Sequence, residues 1–226
     1  MYKYETHLHT SPVSICARAS VGETLEFYKE KGYAGVFITN HFLDGNIALP
    51  QGLSYEAALD FYFSDYEAGL EIGKQLGIQV LCGVELSYKG TDFLVYGLDK
   101  AWYVAHPEIM EMERRSQLQF FMDSGALVIQ AHPYREAHYI DHIRLFPRNV
   151  HGVEIINACR KESENNMAKI YAENYGLIPF AGSDNHIASQ QKLLAGVRFH
   201  EPVLDEQDFV NKVKNGMMEL FVEENN

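Results

Sequence analysis

Residues 3–10 read KYETHLHT, a short run that ends in two histidines one residue apart. In an extended strand, residues i and i+2 point to the same side. His7 and His9 therefore present two imidazoles in one direction, spaced to grip a single ion. The competing reading is two surface histidines that share a face by chance, and the rest of the chain decides between them.

Outward from this run, a strand–helix alternation recurs. Strand candidates are KYETHLH (3–9), AGVFITN (34–40), IQVLCGVELSY (78–88), TDFLVYGL (91–98), ALVIQAH (126–132), GVEIINA (152–158), IPFAGSD (178–184), AGVRF (195–199) and MELFVE (218–223). Each is rich in β-branched or aromatic residues and bounded by Gly, Pro or polar residues. Helical patterns lie between them at 21–33, 54–77, 107–125, 162–176 and 205–216, four of them closing on Gly32, Gly77, Gly176 and Gly216. Such alternation argues an α/β fold with a parallel sheet covered by helices. About eight strands in a chain of 226 residues suggest a compact, incomplete β/α barrel, a single domain over residues 1–226. An open doubly wound sheet is the second option, although no glycine-rich phosphate loop follows the first strand.

Composition narrows the function. Hydrophobic residues make up 46% and charged residues 22%, as in a globular protein with a sizeable core. No stretch reaches the roughly 18 apolar residues of a membrane span, and the N-terminus lacks the basic and apolar regions of a signal peptide. Cys16, Cys82 and Cys159 are an odd, scattered set, unlike a disulfide framework. The expectation is a cytoplasmic protein without membrane partners. The net charge of −12, with no Lys/Arg run, argues against polynucleotide binding. A small anionic substrate stays open, because metal ions can reverse the field of an acidic surface.

The polar residues at the ends of the apolar runs point to the chemistry. The first run delivers His7 and His9, the second His41, the third Glu85; ALVIQAHP delivers His132, and IPFAGSDNH delivers Asp184 and His186. In a β/α barrel these ends converge on the face where the βα loops build the active site. Imidazoles and carboxylates suit Zn²⁺, Mn²⁺ or Fe²⁺. Seven ligands exceed the needs of one catalytic ion, so at least two divalent ions are expected, with Glu85 able to bridge two of them. Two ions roughly 3.5–4 Å apart acidify a bridging water and clamp a phosphoryl or acyl oxygen.

Arg18, Arg135 and Arg160 each follow a strand end, and a guanidinium fork matches phosphate geometry, with a surface salt bridge as the alternative for each. His106, His138, His142, His151 and His200 read as structural or solvated, Glu154 as structural, and Asn157 as a lining residue. No G-x-S-x-G elbow is present, which favours direct water attack over a covalent enzyme intermediate. Asp184 or His186 could pass a proton to the leaving oxygen.

THLHT, ITNH, GVELS, QAHPYR and AGSDNH, in this order from about residue 4 to about residue 200, resemble the successive motifs of the PHP (polymerase and histidinol phosphatase) family. The resemblance implies a distorted, seven-stranded, TIM-like (β/α)7 barrel with a two- or three-metal site and phosphoesterase activity. By it, His7, His9, Glu85 and Asp184 hold a first ion, Glu85 and His132 a second, and His41 with His186 a third. The implied enzyme is a histidinol-phosphatase-like phosphoric monoester hydrolase that turns a metal-bound hydroxide on a small phosphorylated metabolite, with Asp184, His186, Arg135 and Arg160 as catalytic residues. An amidohydrolase-type barrel, which also opens with H-x-H but uses a lysine bridge where Glu85 stands, and a non-catalytic metal-binding PHP module are the alternatives. The sequence departs from the pattern twice. Ser14, Ile15 and Cys16 stand where relatives carry an Asp or His, and Asp92 stands where relatives often carry a His. Whether Cys16 or Asp92 is a ligand stays open at this point, as do the substrate and the oligomeric state.

Overall fold

The computed structural model describes residues 1–226. Nine strands form one sheet: β1 (Tyr2–Glu5), β2 (Gly35–Ile38), β3 (Gln79–Tyr88), β4 (Thr91–Tyr96), β5 (Leu127–Ala131), β6 (Gly152–Asn157), β7 (Ile178–Gly182), β8 (Leu193–Phe199) and β9 (Glu219–Glu224). Six helices connect them: α1 (Val21–Glu30), α2 (Tyr55–Leu76), α3 (Lys100–Ala105), α4 (Arg114–Asp123), α5 (Glu162–Tyr175) and α6 (Glu206–Lys214). The spatial order is β7-β6-β5-β4-β3-β2-β1-β8-β9.

The sheet is mixed, which corrects the expectation of an all-parallel one. β4 runs antiparallel to β3 and β5, β8 to β1, and β9 to β8. Connection length is the cause. Only Lys89 and Gly90, with φ of 50° and 84°, separate β3 from β4. That is a two-residue hairpin, whereas a parallel return needs a crossover of a dozen or more residues. β7 likewise reaches β8 through little more than a 3-10 turn at Ala188–Gln190.

Seven strands, β1 to β7, wrap into a nearly closed barrel whose seam lies between β1 and β7. Beyond the ends of both strands, Leu8 bridges Asn185 in parallel, and the His9 amide donates to the Asn185 carbonyl at 2.8 Å. The Thr6 hydroxyl donates to the carbonyl of Ala181. Lower down, β8 fills the gap: Ser183 Oγ accepts from the Ala195 amide at 2.8 Å and donates to its carbonyl at 3.1 Å.

Side chains from opposite walls meet inside. The rings of Phe37 on β2 and Tyr96 on β4 lie 5.1 Å apart, and Tyr96 lies 5.7 Å from Phe180 on β7. Phe209 of α6 plugs this interior, 4.3 Å from Phe37 and 5.4 Å from Tyr96. Outside, α1 opens with a capping box between Ser20 and Glu23, and α2 runs from an N-cap at Ser54 to Gly77 in the left-handed region. The single helix expected over 107–125 is instead a 3-10 turn at Pro107–Met110 followed by α4, which Glu113 caps. α3, capped by Asp99, precedes it and was not anticipated. No helix is long and apolar enough to cross a membrane.

Candidate metal centre

All seven ligand-type residues converge at one end of the barrel. His7 and His9 do point the same way, with their Nε2 atoms 3.3 Å apart. Glu85 lies in mid-strand rather than at a strand end, because β3 continues into the hairpin. Its two oxygens face different partners. Oε1 lies 3.2 Å from His7 Nε2 and 3.3 Å from His132 Nε2, while Oε2 lies 2.7 Å from His41 Nδ1 and 3.4 Å from His9 Nε2. Asp184 repeats this on the far side: Oδ1 is 3.5 and 3.4 Å from the Nε2 atoms of His7 and His9, and Oδ2 is 3.8 Å from His132 Nε2. His132 and Asp184 hold backbone φ of 24° and 55°, a conformation that side-chain-bearing residues adopt rarely and that clusters at functional sites.

The candidate ligands are oriented from behind. Glu154, fully buried, sets its Oε1 3.0 Å from His7 Nδ1; its Oε2 accepts from the His132 amide at 3.0 Å and from Asn157 Nδ2 at 2.8 Å. His9 Nδ1 faces Ser14 Oγ at 3.2 Å, and His186 Nδ1 donates to the Asp184 carbonyl at 2.7 Å. Such partners fix which ring nitrogen is left to bind. The β6–β7 pairing shifts register between Glu154 and Ile156, next to these contacts. Gly182 makes room: a Cβ there would stand 2.5 Å from His7 Cβ and 2.7 Å from Glu154 Oε1.

The charges are strongly coupled. Burial opposes charge on His7, yet Glu154, Asp184 and Glu85 hold it protonated well above the usual imidazole range. Against burial, Glu85 and Cys16 raise His41 to about 10, and hydrogen bonds with Cys159 and Cys16, then Asp184, raise His186 to about 11. His9 falls to about 3, through burial first and then the neighbouring His186 and His41. Glu85 and Asp184 stay ionised despite burial, drawn well below the carboxylate range chiefly by His41 and His7 respectively. Cys16 comes down to about 6, hydrogen bonds from His186 and His41 outweighing its burial.

The donor set fits divalent ions. Both oxygens of Glu85, Nδ1 of His41 and Oδ2 of Asp92 are buried without a well-directed hydrogen bond, although each lies close to an opposite charge. Buried polar atoms are normally paired, and cations at the focus of these atoms would satisfy them. Three groups of donors lie within 4.8 Å of one another: His7, His9 and Asp184; His7, Glu85 and His132; and His9, Cys16, His41 and His186.

Above the ligands opens a cavity of about 530 Å³, rimmed by Asp44, Ser87, Tyr139, Arg135 and Arg160 among others. Arg135 Nη2 lies 3.0 Å from Asp92 Oδ2, and Arg160 Nη2 lies 3.8 Å from Asp184 Oδ2. Arg18 is exposed and does not line the cavity. Sequence reasoning set Glu154 aside as structural; its packing against two ligand segments makes it a supporting residue of the site. Asn157 lines the same cluster, its Nδ2 also 3.3 Å from Asp184 Oδ2. His106 pairs with Glu108 away from the site.

Comparison with known proteins bears on the fold that carries this cluster. The family model described as PHP-associated matches residues 162–218. No curated protein matches the chain. Among solved structures, a two-domain Bacteroides vulgatus protein described as containing a predicted PHP-like metal-dependent phosphoesterase superposes with a TM-score of 0.68 at 14% identity. The alignment covers 97% of this chain but only 64% of that one. PsfC from Pseudomonas syringae superposes with a TM-score of 0.61 at 14% identity, covering 98% of this chain and 91% of its own. An amidohydrolase from Chromobacterium violaceum, solved with sulfate and no metal, reaches a TM-score of 0.54 at 12% identity, covering 96% and 97%. The chain thus shares the TIM-like barrel fold of these structures, and within it residues 162–218 match the PHP-associated family model.

Proposed function

We propose that the chain is a single PHP-type domain that hydrolyses a small phosphorylated substrate with the help of two or more divalent transition-metal ions. The observation that carries this reading is Glu85, whose two buried oxygens face separate pairs of imidazoles. His7, His9, Glu85 and Asp184 would hold one ion, Glu85 and His132 a second, and His41 with His186 a further one. Bound there, zinc, manganese or iron would acidify water and neutralise charge on phosphoryl oxygens.

The chain's own residues supply the rest. Arg135 and Arg160 are the only cationic side chains besides the imidazoles that line the cavity, and each has a buried Nε without a partner. A guanidinium so placed binds and orients phosphoryl oxygens bidentately and compensates their charge as it grows. Phe42 and Val13, fully buried behind the site, keep water from its rear. His186, at the partly exposed edge of the cluster, would hand a proton to the leaving oxygen only while its ion holds it loosely, because a firmly bound ligand is a poor general acid. The absence of a serine elbow favours direct attack by water. Three free cysteines suit a reducing, cytoplasmic compartment.

The amidohydrolase neighbour favours one second reading, C–N bond hydrolysis, against which stands the lack of a lysine among the residues lining the cavity. The test is one panel. Metal-stripped protein is reloaded separately with Mn²⁺, Zn²⁺ or Fe²⁺ and offered phosphomonoesters and amides. Metal-dependent phosphate release is expected. Loaded protein that cleaves amides and no phosphomonoester would replace this reading with the second, and loaded protein that cleaves neither would leave a binding module.

A further inference from the structure

Cys16 is the one cysteine that faces several imidazoles, whereas Cys159 reaches His186 alone. Cys82 is buried in β3, and Cys159 is exposed, its Sγ on the Asp184 carbonyl at 3.2 Å. Cys16 Sγ instead lies within 4.8 Å of ring nitrogens of His9, His41 and His186. His9 is committed elsewhere: its Nδ1 faces Ser14, and its Nε2 stands 3.4 Å from both Glu85 and Asp184. Cys16, His41 and His186 are left as a set of three. His186 donates Nδ1–H to the Asp184 carbonyl, so its other nitrogen is the one left to bind an ion, which would displace the proton there. His41 is only 8% exposed, and its Nδ1 makes no directed hydrogen bond.

From this geometry we infer that the Cys16 thiolate, His41 and His186 form a mixed sulfur–nitrogen site for a soft divalent ion, separate from the oxygen-rich site around Glu85. The inference rests on the metal-dependent reading above and deepens it. Three protein ligands with a fourth position open to the cavity are the arrangement of a catalytic rather than a structural zinc. Thiolate ligation favours zinc or cobalt over manganese or magnesium, whereas the carboxylate-rich group tolerates the harder ions. The two halves of one cluster would thus select different metals. The same thiolate makes this half the one that oxidation or alkylation disables first.

Cobalt distinguishes the cases without recourse to activity. The full chain is loaded with Co²⁺, its ions are counted, and its near-ultraviolet spectrum is recorded. A thiolate-to-cobalt charge-transfer band is expected in the wild type and in Cys159→Ser. In Cys16→Ser the band should vanish and one ion per chain should be lost. Cys16→Asp should recover that ion without the band. Should Cys16→Ser fail to fold, the wild type suffices: bound Co²⁺ or Zn²⁺ should protect Cys16, located by mass spectrometry, from iodoacetamide. Ions taken up with no band, a band that follows Cys159, or Cys16 alkylated at the same rate with and without metal would each overturn the inference alone. Protein that takes up no ions would overturn the metal-dependent reading with it.

Discussion

The two ends of the barrel are built on opposite principles. At the closed end, Phe37, Tyr96, Phe180 and Phe209 pack ring against ring, and every one of them is fully buried. That end is complete in itself: apolar surface is removed from water and nothing is left unpaired. At the open end, five imidazoles and two carboxylates crowd within a few ångströms, several of their atoms lacking directed hydrogen bonds. Burying such groups costs free energy unless charges are paired and coordinated. The closed end holds the fold so that the open end can be held in an arrangement that would not form alone.

The comparison breaks if stability and metal binding are not separable. Phe209→Ala removes a ring that fills the barrel from α6, and should destabilise the chain by about 3–5 kcal/mol. Denaturant unfolding measures this, and the ion count of the folded fraction should not change. Stripping the ions is expected to do the reverse. A ligand that binds only the folded state stabilises it by about 4 kcal/mol when present at roughly a thousand times its Kd, so a chelator should lower Tm without unfolding the barrel. Cooperative unfolding on chelation at room temperature would show that the closed end does not stand by itself.

Smaller effects sharpen the contrast. Glu154 is fully buried and does not line the cavity, but it orients His7 and the His132 backbone. Glu154→Gln should weaken metal binding by about 10–100-fold, the usual range for a residue behind a ligand, read by competition with a chromophoric chelator. His151 lies at the start of β6, away from the cluster, and its Nδ1 accepts the Val128 amide at 3.1 Å. Burial first, and then Lys214, lowers it to about 4. The unfolded chain, with an ordinary imidazole near 6.5, binds more protons than the folded one between these values. Stability from this group is therefore present above about pH 6.5 and is lost as pH falls toward 4. After discounting for partial exposure the loss is about 1 kcal/mol. His151→Gln should flatten that limb of the Tm–pH curve, measured on metal-free protein so that ligand protonation does not contribute.

Much of the open end could be read from sequence, because His41, Glu85, His132 and Asp184 terminate or interrupt runs that packing alone would have made apolar. The barrel could be read too, since the apolar runs fall within a few residues of the strands. What escaped depends on contacts between distant segments. The seam is closed by Leu8 and Asn185 outside any regular strand, so no local pattern marks it. The antiparallel course of β4 was signalled only by the brevity of Lys89-Gly90. Glu154 looks like any strand residue in GVEIINA until barrel closure brings it to His7. Cys16 sits in an irregular loop, where a cysteine carries no periodic signal, and only folding brings it to His41 and His186.

The central claim is that one carboxylate joins two ions. Elemental analysis of metal-replete wild type and Glu85→Ala, with circular dichroism confirming the fold of both, tests it most directly. The wild type should carry at least two transition-metal ions per chain, and Glu85→Ala should lose more than one of them. A wild type with less than one ion, or a folded Glu85→Ala that loses a single ion and keeps the rest, would contradict the account.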